Sequence, residues 1–245
     1  MEVYGSDDFG IEAKEDTSPL TIADQRAHNI IVSFLEATEL PVLSEEGKQT
    51  PYRERNLWHR FWMVDPLDGT REFIKRNGEF TVNIALVEDG KARFGVVYAP
   101  VIHELYVGIP GRGAYRCRDE SNFTQPMDYL LQFADSLPQE SQHPELFTVV
   151  SSRSHYNEET RNFVESLDSG GRELSLVSKG SSLKLCLVAS GEADIYPRLG
   201  PTMEWDTAAA HAVVKASGKN VYRTDTGEEL NYNKQNLLNP YFVVK

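Results

Sequence analysis

Long apolar runs are missing from this chain of 245 residues. The longest, Leu185–Ala189, is far short of the ~20 apolar residues that a membrane-crossing helix needs. Cysteine is scarce. Cys117 and Cys186 cannot build a disulfide framework or a cysteine-rich metal site, so both read as structural in a reducing compartment. No basic, apolar, small-residue leader opens the sequence, and a secreted protein is not expected. Positive charge is also in short supply: 25 Lys and Arg stand against 37 Asp and Glu, a net charge of −12. Such a surface repels nucleic-acid polymers, and it would repel a small polyanion too unless local cations reverse the sign at one site. What is present is ordinary globular composition, 40% hydrophobic and 25% charged, enough for one large domain or two tightly joined ones.

The first part of the chain reads as α+β. Thr21 is a helix N-cap, followed by periodic apolar positions Ile22, Ile30, Ile31, Phe34 and Leu35. Pro41–Leu43 and Phe61–Val64 are short apolar runs that end in acids, as buried strands do. Between Phe80 and Pro100, two strand-like runs flank the hairpin signal Asp89-Gly90, and Glu104–Gly108 continues an antiparallel sheet. Residues 118–146 are polar and proline-bearing and read as a crossover. Beyond them strand and helix alternate: a strand at Phe147–Ser151, helices at Asn157–Leu167 and from Ser181 to the Gly191 stop, a strand at Ala193–Tyr196 and a helix from Asp206 to Gly218. The expected fold class is a layered α+β and α/β protein, antiparallel in its first half and mixed in its second.

The chemistry concentrates in Asp65-Pro66-Leu67-Asp68-Gly69-Thr70. A strand ending at Asp65 and a proline turn that reverses the chain bring Asp68 back beside it, while Gly69 and Thr70 open a helix whose amides suit a phosphate. Clustered carboxylates suit a hard divalent cation that shares its ligands with phosphate. Taken alone, the segment reads equally well as an Asp-Pro turn with a helix cap. Ser44-Glu45-Glu46 again puts acids at a strand end, and alone it is a solvated loop. Glu204-Trp205-Asp206 puts acids at the start of an alanine-rich helix, where they answer the helix dipole. Gathered together, like charges at ~4 Å would cost about 4 kcal/mol per pair at an effective dielectric of 20, and bound cations remove that cost. The spacing Asp-x-x-Asp-Gly-Thr differs from the Asp-x-Asp-Gly-Thr of aspartyl-phosphate phosphatases, and no P-loop is present.

These segments together resemble the lithium-sensitive, Mg²⁺-dependent phosphomonoesterases of the inositol monophosphatase superfamily. The longer stretches Lys14–Asp24, Asp65–Pro100, Gly180–Ala189 and Pro201–Ala209 are similar to its CysQ-type 3′(2′),5′-bisphosphate nucleotidases. The resemblance implies an α-β-α-β-α sandwich, with a metal-binding part over residues 1–140 and a specificity part over residues 141–245 that supplies the last metal ligand. It implies that Glu45, Asp65 and the Leu67 carbonyl hold one Mg²⁺, with Asp65, Asp68 and Asp206 on a second, Glu46 supporting them, and a weak third ion near Asp24. Glu45 and Thr70 would position the attacking water, Asp24 would orient Thr70, and the Gly69 and Thr70 amides would take phosphate oxygens. Asp24 also fits a capping box with Thr21.

In eukaryotic members a serine, a lysine three residues on and an arginine fourteen further contact the nucleotide phosphate; Ser181, Lys184 and Arg198 reproduce that spacing, and His155 is a weaker carry-over. Ser181 and Lys184 also read as an N-cap and a first-turn lysine. The implied reaction is hydrolysis of adenosine 3′,5′-bisphosphate to AMP and phosphate, a by-product clearance in sulfate assimilation, inhibited by Li⁺. The rivals are an inositol- or sugar-phosphate phosphatase and a catalytically silent nucleotide- or metal-binding regulator. A cytoplasmic protein follows, compatible with loose attachment to the inner membrane's cytoplasmic face. In the family a long amphipathic helix precedes the segment matching Val3-Tyr4, so the expectation is either a mis-assigned start or a less covered first helix pair and a less stable protein.

Overall fold

In the computed structural model, which describes residues 1–6, 9–13, 19–152 and 157–245, an antiparallel pair of β1 (Glu12–Ala13) and β2 (Pro19–Leu20) leads into α1 (Ile22–Leu35). A capping box starts that helix: the Thr21 side chain accepts from the Ala23 amide while the Asp24 carboxylate accepts from the Thr21 amide. The periodic apolar residues of α1 do not become core. Ile22, Ile30 and Phe34 are exposed, and Asp24 is the helix's buried residue. α1 instead lies along the first sheet with its acid turned inward.

That sheet has seven strands in sequence order: β3 (Val42–Ser44), β4 (Arg60–Asp68), β5 (Thr81–Glu88), β6 (Lys91–Ala99), β7 (Glu104–Ile109), β8 (Gly113–Cys117) and β9 (Asp135–Leu137). The β3–β4 pair is parallel and every other pair antiparallel. Three short helices interrupt the strand sequence: α2 (Tyr52–Arg55), α3 (Thr70–Ile74) and α4 (Met127–Leu130). Asp89 and Gly90 both take positive φ, 49° and 72°, as a two-residue turn matched to strand twist requires. The polar crossover expected over residues 118–146 contains an edge strand, β9, paired with β8. Edge strands need no apolar alternation, because one side of their ladder faces water.

The second half follows as β10 (Leu146–Ser152), α5 (Glu158–Glu165), β11 (Glu173–Lys179), α6 (Leu183–Ser190), β12 (Tyr196–Arg198), α7 (Ala208–Ala216), β13 (Val221–Arg223) and β14 (Phe242–Val244). β10 and β11 are parallel, Val149 bridges Ile195 in parallel, and β12–β14–β13 is antiparallel, so this sheet system is mixed. α6 and α7 form the middle layer between the two sheets, α7 lying across β5 to β8. All residues of α7 from Ala208 to Val214 are buried. Small residues make that contact close: a Cβ on Gly108 of β7 would stand 2.3 Å from Val213 Cα. One core cluster joins Phe61, Met63 and Val97 of the first sheet to Leu185, Ala209, Val213 and Tyr196 of the second half. Among the described residues, no helix is long and apolar enough to cross a membrane.

Candidate active site

The site is built on an irregularity in β4. In a regular strand, residues three apart point to opposite faces. Here Asp65 pairs with Asn83 and Asp68 with Thr81, so β4 holds one extra residue between the two acids. That bulge puts both carboxylates on one side, and Pro66, which has no amide hydrogen to donate, fits within it. The expectation of a turn that reverses the chain is therefore corrected: the strand continues through Asp68, and only then does Gly69, at φ 93°, break it. Gly69 is required twice over, because a Cβ there would stand 2.2 Å from Ser181 Oγ. The helix expected next, α3, is a single turn and a half.

Three more acids converge on this bulge. The Glu45 amide donates to the Val64 carbonyl at 3.1 Å, which seats Glu45 just past the end of β3, and its side chain hydrogen-bonds Asp65. Asp206 sits just ahead of Thr207, the N-cap of α7, rather than within the helix as the sequence suggested. Asp24 comes from the first turn of α1.

Four of these carboxylates have one oxygen held by a hydrogen bond from the protein. Asp65 Oδ1 accepts from the Leu67 amide at 3.0 Å. Asp206 Oδ2 accepts from the Met203 amide at 2.9 Å. Asp68 Oδ2 accepts from Ser182 Oγ at 2.9 Å. Asp24 Oδ2 accepts from the Thr21 amide at 2.8 Å and hydroxyl at 2.5 Å, while Oδ1 receives Thr70 Oγ1 at 3.3 Å. Asp24 thus caps α1 and holds Thr70 at once.

Burial, then the charges of Glu45, Asp68 and Asp206, push the Asp65 carboxyl well above its ordinary range. Burial, Asp68 and Glu45 do the same to Asp206. Such repulsion is relieved by protons or by cations. Among the described residues, no three His, Cys, Asp or Glu side chains already stand as a closed ligand set. The donor chemistry is nonetheless that of Mg²⁺: hard oxygens from Glu45, Asp65, Asp68 and Asp206, with the Leu67 carbonyl 3.5 Å from Thr70 Oγ1.

Asp68, Gly69, Thr70 and Asp206 line a cavity of about 450 Å³ together with Lys184 and Arg198. Asp65, Glu45 and Asp24 are not among its lining residues. Both cations are buried. Lys184 Nζ donates to the Ser181 carbonyl at 2.5 Å, and burial lowers its pKa to about 8. Arg198 donates one NH₂ hydrogen to the Pro201 carbonyl at 2.7 Å, and its Nε has no partner. Ser181 lines the cavity, but its hydroxyl reaches the main-chain oxygens of Asp68 and Glu79, each at 2.7 Å. His155 lies outside the described residues.

Sequence reasoning missed three polar residues here. Asn83 and Ser182, both buried, stand against Asp68. Glu204, read as answering the helix dipole, is fully buried and accepts from the amides of Asn233 and Lys234 and from Lys234 Nζ. An asparagine inside the apolar run Thr81–Val87 was a visible signal; Ser182, beside a serine already assigned, was masked by it.

A sequence model of the inositol monophosphatase family matches residues 1–241. The chain belongs to that family. It is 44% identical over 248 residues to the 3′(2′),5′-bisphosphate nucleotidase CysQ of Shigella flexneri, covering all of this chain and 92% of that protein. The fold superposes on the crystal structure of CysQ from Bacteroides thetaiotaomicron with a TM-score of 0.90 at 47% identity, over 100% of this chain and 90% of the other. It also matches, in fold, an inositol monophosphatase/NADP phosphatase solved with Mg²⁺ and phosphate, at a TM-score of 0.70 and 20% identity over 96% of this chain and 80% of that one.

Proposed function

We propose that this protein is a Mg²⁺-dependent phosphomonoesterase acting on adenosine 3′,5′-bisphosphate, with AMP and phosphate as products. The observation that carries the reading is a single cavity lined both by acids of the β4 bulge and α7 start, Asp68 and Asp206, and by the buried cations Lys184 and Arg198. The acids converge on the β4 bulge, and among the described residues Lys184 and Arg198 donate to main-chain carbonyls, those of Ser181 and Pro201, rather than to a carboxylate. A substrate with two phosphates, one at the acids and one at the cations, would satisfy both groups. The nucleotidases at 44% and 47% identity over the whole chain support the same substrate class.

In this reading Glu45, Asp65, Asp68, Asp206 and the Leu67 carbonyl hold two Mg²⁺ ions. When bound, these supply charge neutralisation and an acidified water for in-line displacement. Glu45 and Thr70 would position the attacking water. Asp24, fixed by its capping box, accepts from the Thr70 hydroxyl and so sets where that hydroxyl points. The Gly69 and Thr70 amides would receive phosphate oxygens as the water oxygen bonds to phosphorus and P–O3′ breaks, with the departing O3′ taking a proton from solvent. Lys184 and Arg198 take the second phosphate, making one electropositive end on an acidic molecule. The metal ligands come mostly from residues 1–140, and the second-phosphate contacts with Asp206 from residues 141–245.

The test is kcat/KM on adenosine 3′,5′-bisphosphate against inositol 1-phosphate. The reading expects a preference well above tenfold for the nucleotide. A ratio below about tenfold, ~1.4 kcal/mol, overturns the substrate assignment, since a dedicated second-phosphate site discriminates by more.

A further inference from the structure

Asp68 is held by a part of the molecule distant in sequence. Ser182, just ahead of α6, places its hydroxyl 2.9 Å from Asp68 Oδ2 and 2.7 Å from the main-chain oxygen of Asp206. Asn83, in the centre of β5, donates from Nδ2 to Ser182 Oγ at 2.9 Å and stands 3.4 Å from the same Asp68 oxygen. Both side chains are essentially inaccessible to solvent.

The orientation of Asn83 is set by chemistry: a carboxylate only accepts, so the amide NH₂ faces Asp68 and its oxygen faces away. That oxygen, Oδ1, is buried with no partner. A strand position flanked by Val82 and Ile84 would be served better by a β-branched residue if packing were the only demand.

We infer that Ser182 and Asn83 are positioning residues that fix Asp68 relative to Asp206, so that both present their remaining oxygens to one divalent cation. The inference rests on the reading above that these acids hold Mg²⁺. The donors are neutral, which orients the carboxylate without cancelling its charge, as an arginine or lysine in their place would. The Ser182 hydroxyl also reaches across the two halves of the chain. It touches the side chain of one acid and the backbone of the other, so it sets the spacing between them.

Mg²⁺ binding measured by titration calorimetry on the intact protein, without substrate, tests this. Ser182→Ala is expected to weaken binding by about 10- to 100-fold, the usual effect of removing a hydrogen bond behind a metal ligand. Ser182→Thr, which keeps the hydroxyl, is expected to stay within about threefold of wild type by the same principle. Asn83→Ser gives the same measurement if Ser182→Ala does not fold, with weakening again expected. Unchanged binding in Ser182→Ala alongside lost binding in Asp68→Asn overturns the inference and leaves the metal reading intact. Unchanged binding in Asp68→Asn overturns the metal reading itself. Equal losses in Ser182→Ala and Ser182→Thr assign the effect to packing and also overturn the inference.

Discussion

Lys184 offers a sharp quantitative test of the cation end of the cavity. Its ammonium is buried on α6, and desolvation brings its pKa from 10.5 to about 8; Asp68 opposes this and Arg198 adds to it. A shift of that size corresponds to about 3 kcal/mol of differential stability between the charged and neutral forms. A phosphate dianion beside Nζ restores the charged form, so binding takes up a proton once the free lysine has begun to lose its own. The sign follows directly: affinity for a phosphate is flat up to about pH 7 and falls as pH rises through the free lysine's pKa.

At pH 9 about nine-tenths of the empty sites hold neutral lysine, and AMP should bind about tenfold more weakly than at pH 7, ~1.4 kcal/mol. The phosphate contributes no slope, since its second pKa of about 6 leaves it dianionic throughout. The assay is the inhibition constant of AMP at fixed free Mg²⁺ from pH 7 to 9.5, in wild type and in Lys184→Met. Wild type should show the slope and Lys184→Met a weak, flat profile. A flat wild-type profile, or a slope that persists in Lys184→Met, refutes the placement of Lys184 against phosphate.

Other outcomes follow from the same geometry. Asp65→Asn should abolish metal-dependent phosphate release. It should also stabilise metal-free protein by at least ~1 kcal/mol, read as a higher melting temperature, by removing a buried charge and its repulsion from Glu45, Asp68 and Asp206; a lower melting temperature would contradict the crowding. Gly108→Ala should cost about 3 kcal/mol or more in a denaturant titration, because a Cβ 2.3 Å from Val213 Cα lifts α7 off the sheet. Burial lowers His211, hydrogen-bonded by Tyr232 and Asn220, to about 4. Its contribution, about 3 kcal/mol, is complete above pH 6.5 and lost as pH falls towards 4, so urea midpoints should drop less steeply over that range in His211→Gln.

The site's acids were readable because each stands at the end of an element that hydrophobic patterning marks: Glu45 after Val42–Ser44, Asp65 and Asp68 after Phe61–Val64, Asp206 before the alanines of α7. The bulge was not readable, since Asp-Pro signals a turn as readily as an extra strand residue, and only pairing with Thr81 and Asn83 distinguishes them. Strands β8, β9, β13 and β14 are short, and register with neighbours rather than their own pattern makes them strands. α1 misled in the other direction: Ile30 and Phe34 are spaced as a core face would be, yet its buried residue is the acid that caps it. Glu204 and Lys234 are 30 positions apart, and nothing local in either announces their pairing.

The measurement closest to the central claim is diffraction from crystals soaked in Mn²⁺, a divalent ion that takes the same oxygen ligands as Mg²⁺ and scatters anomalously. The account predicts anomalous peaks within coordinating distance of Asp65, with Glu45 on one side and Asp68 and Asp206 on the other. Peaks elsewhere on the molecule, with these four carboxylates left facing one another, would contradict it.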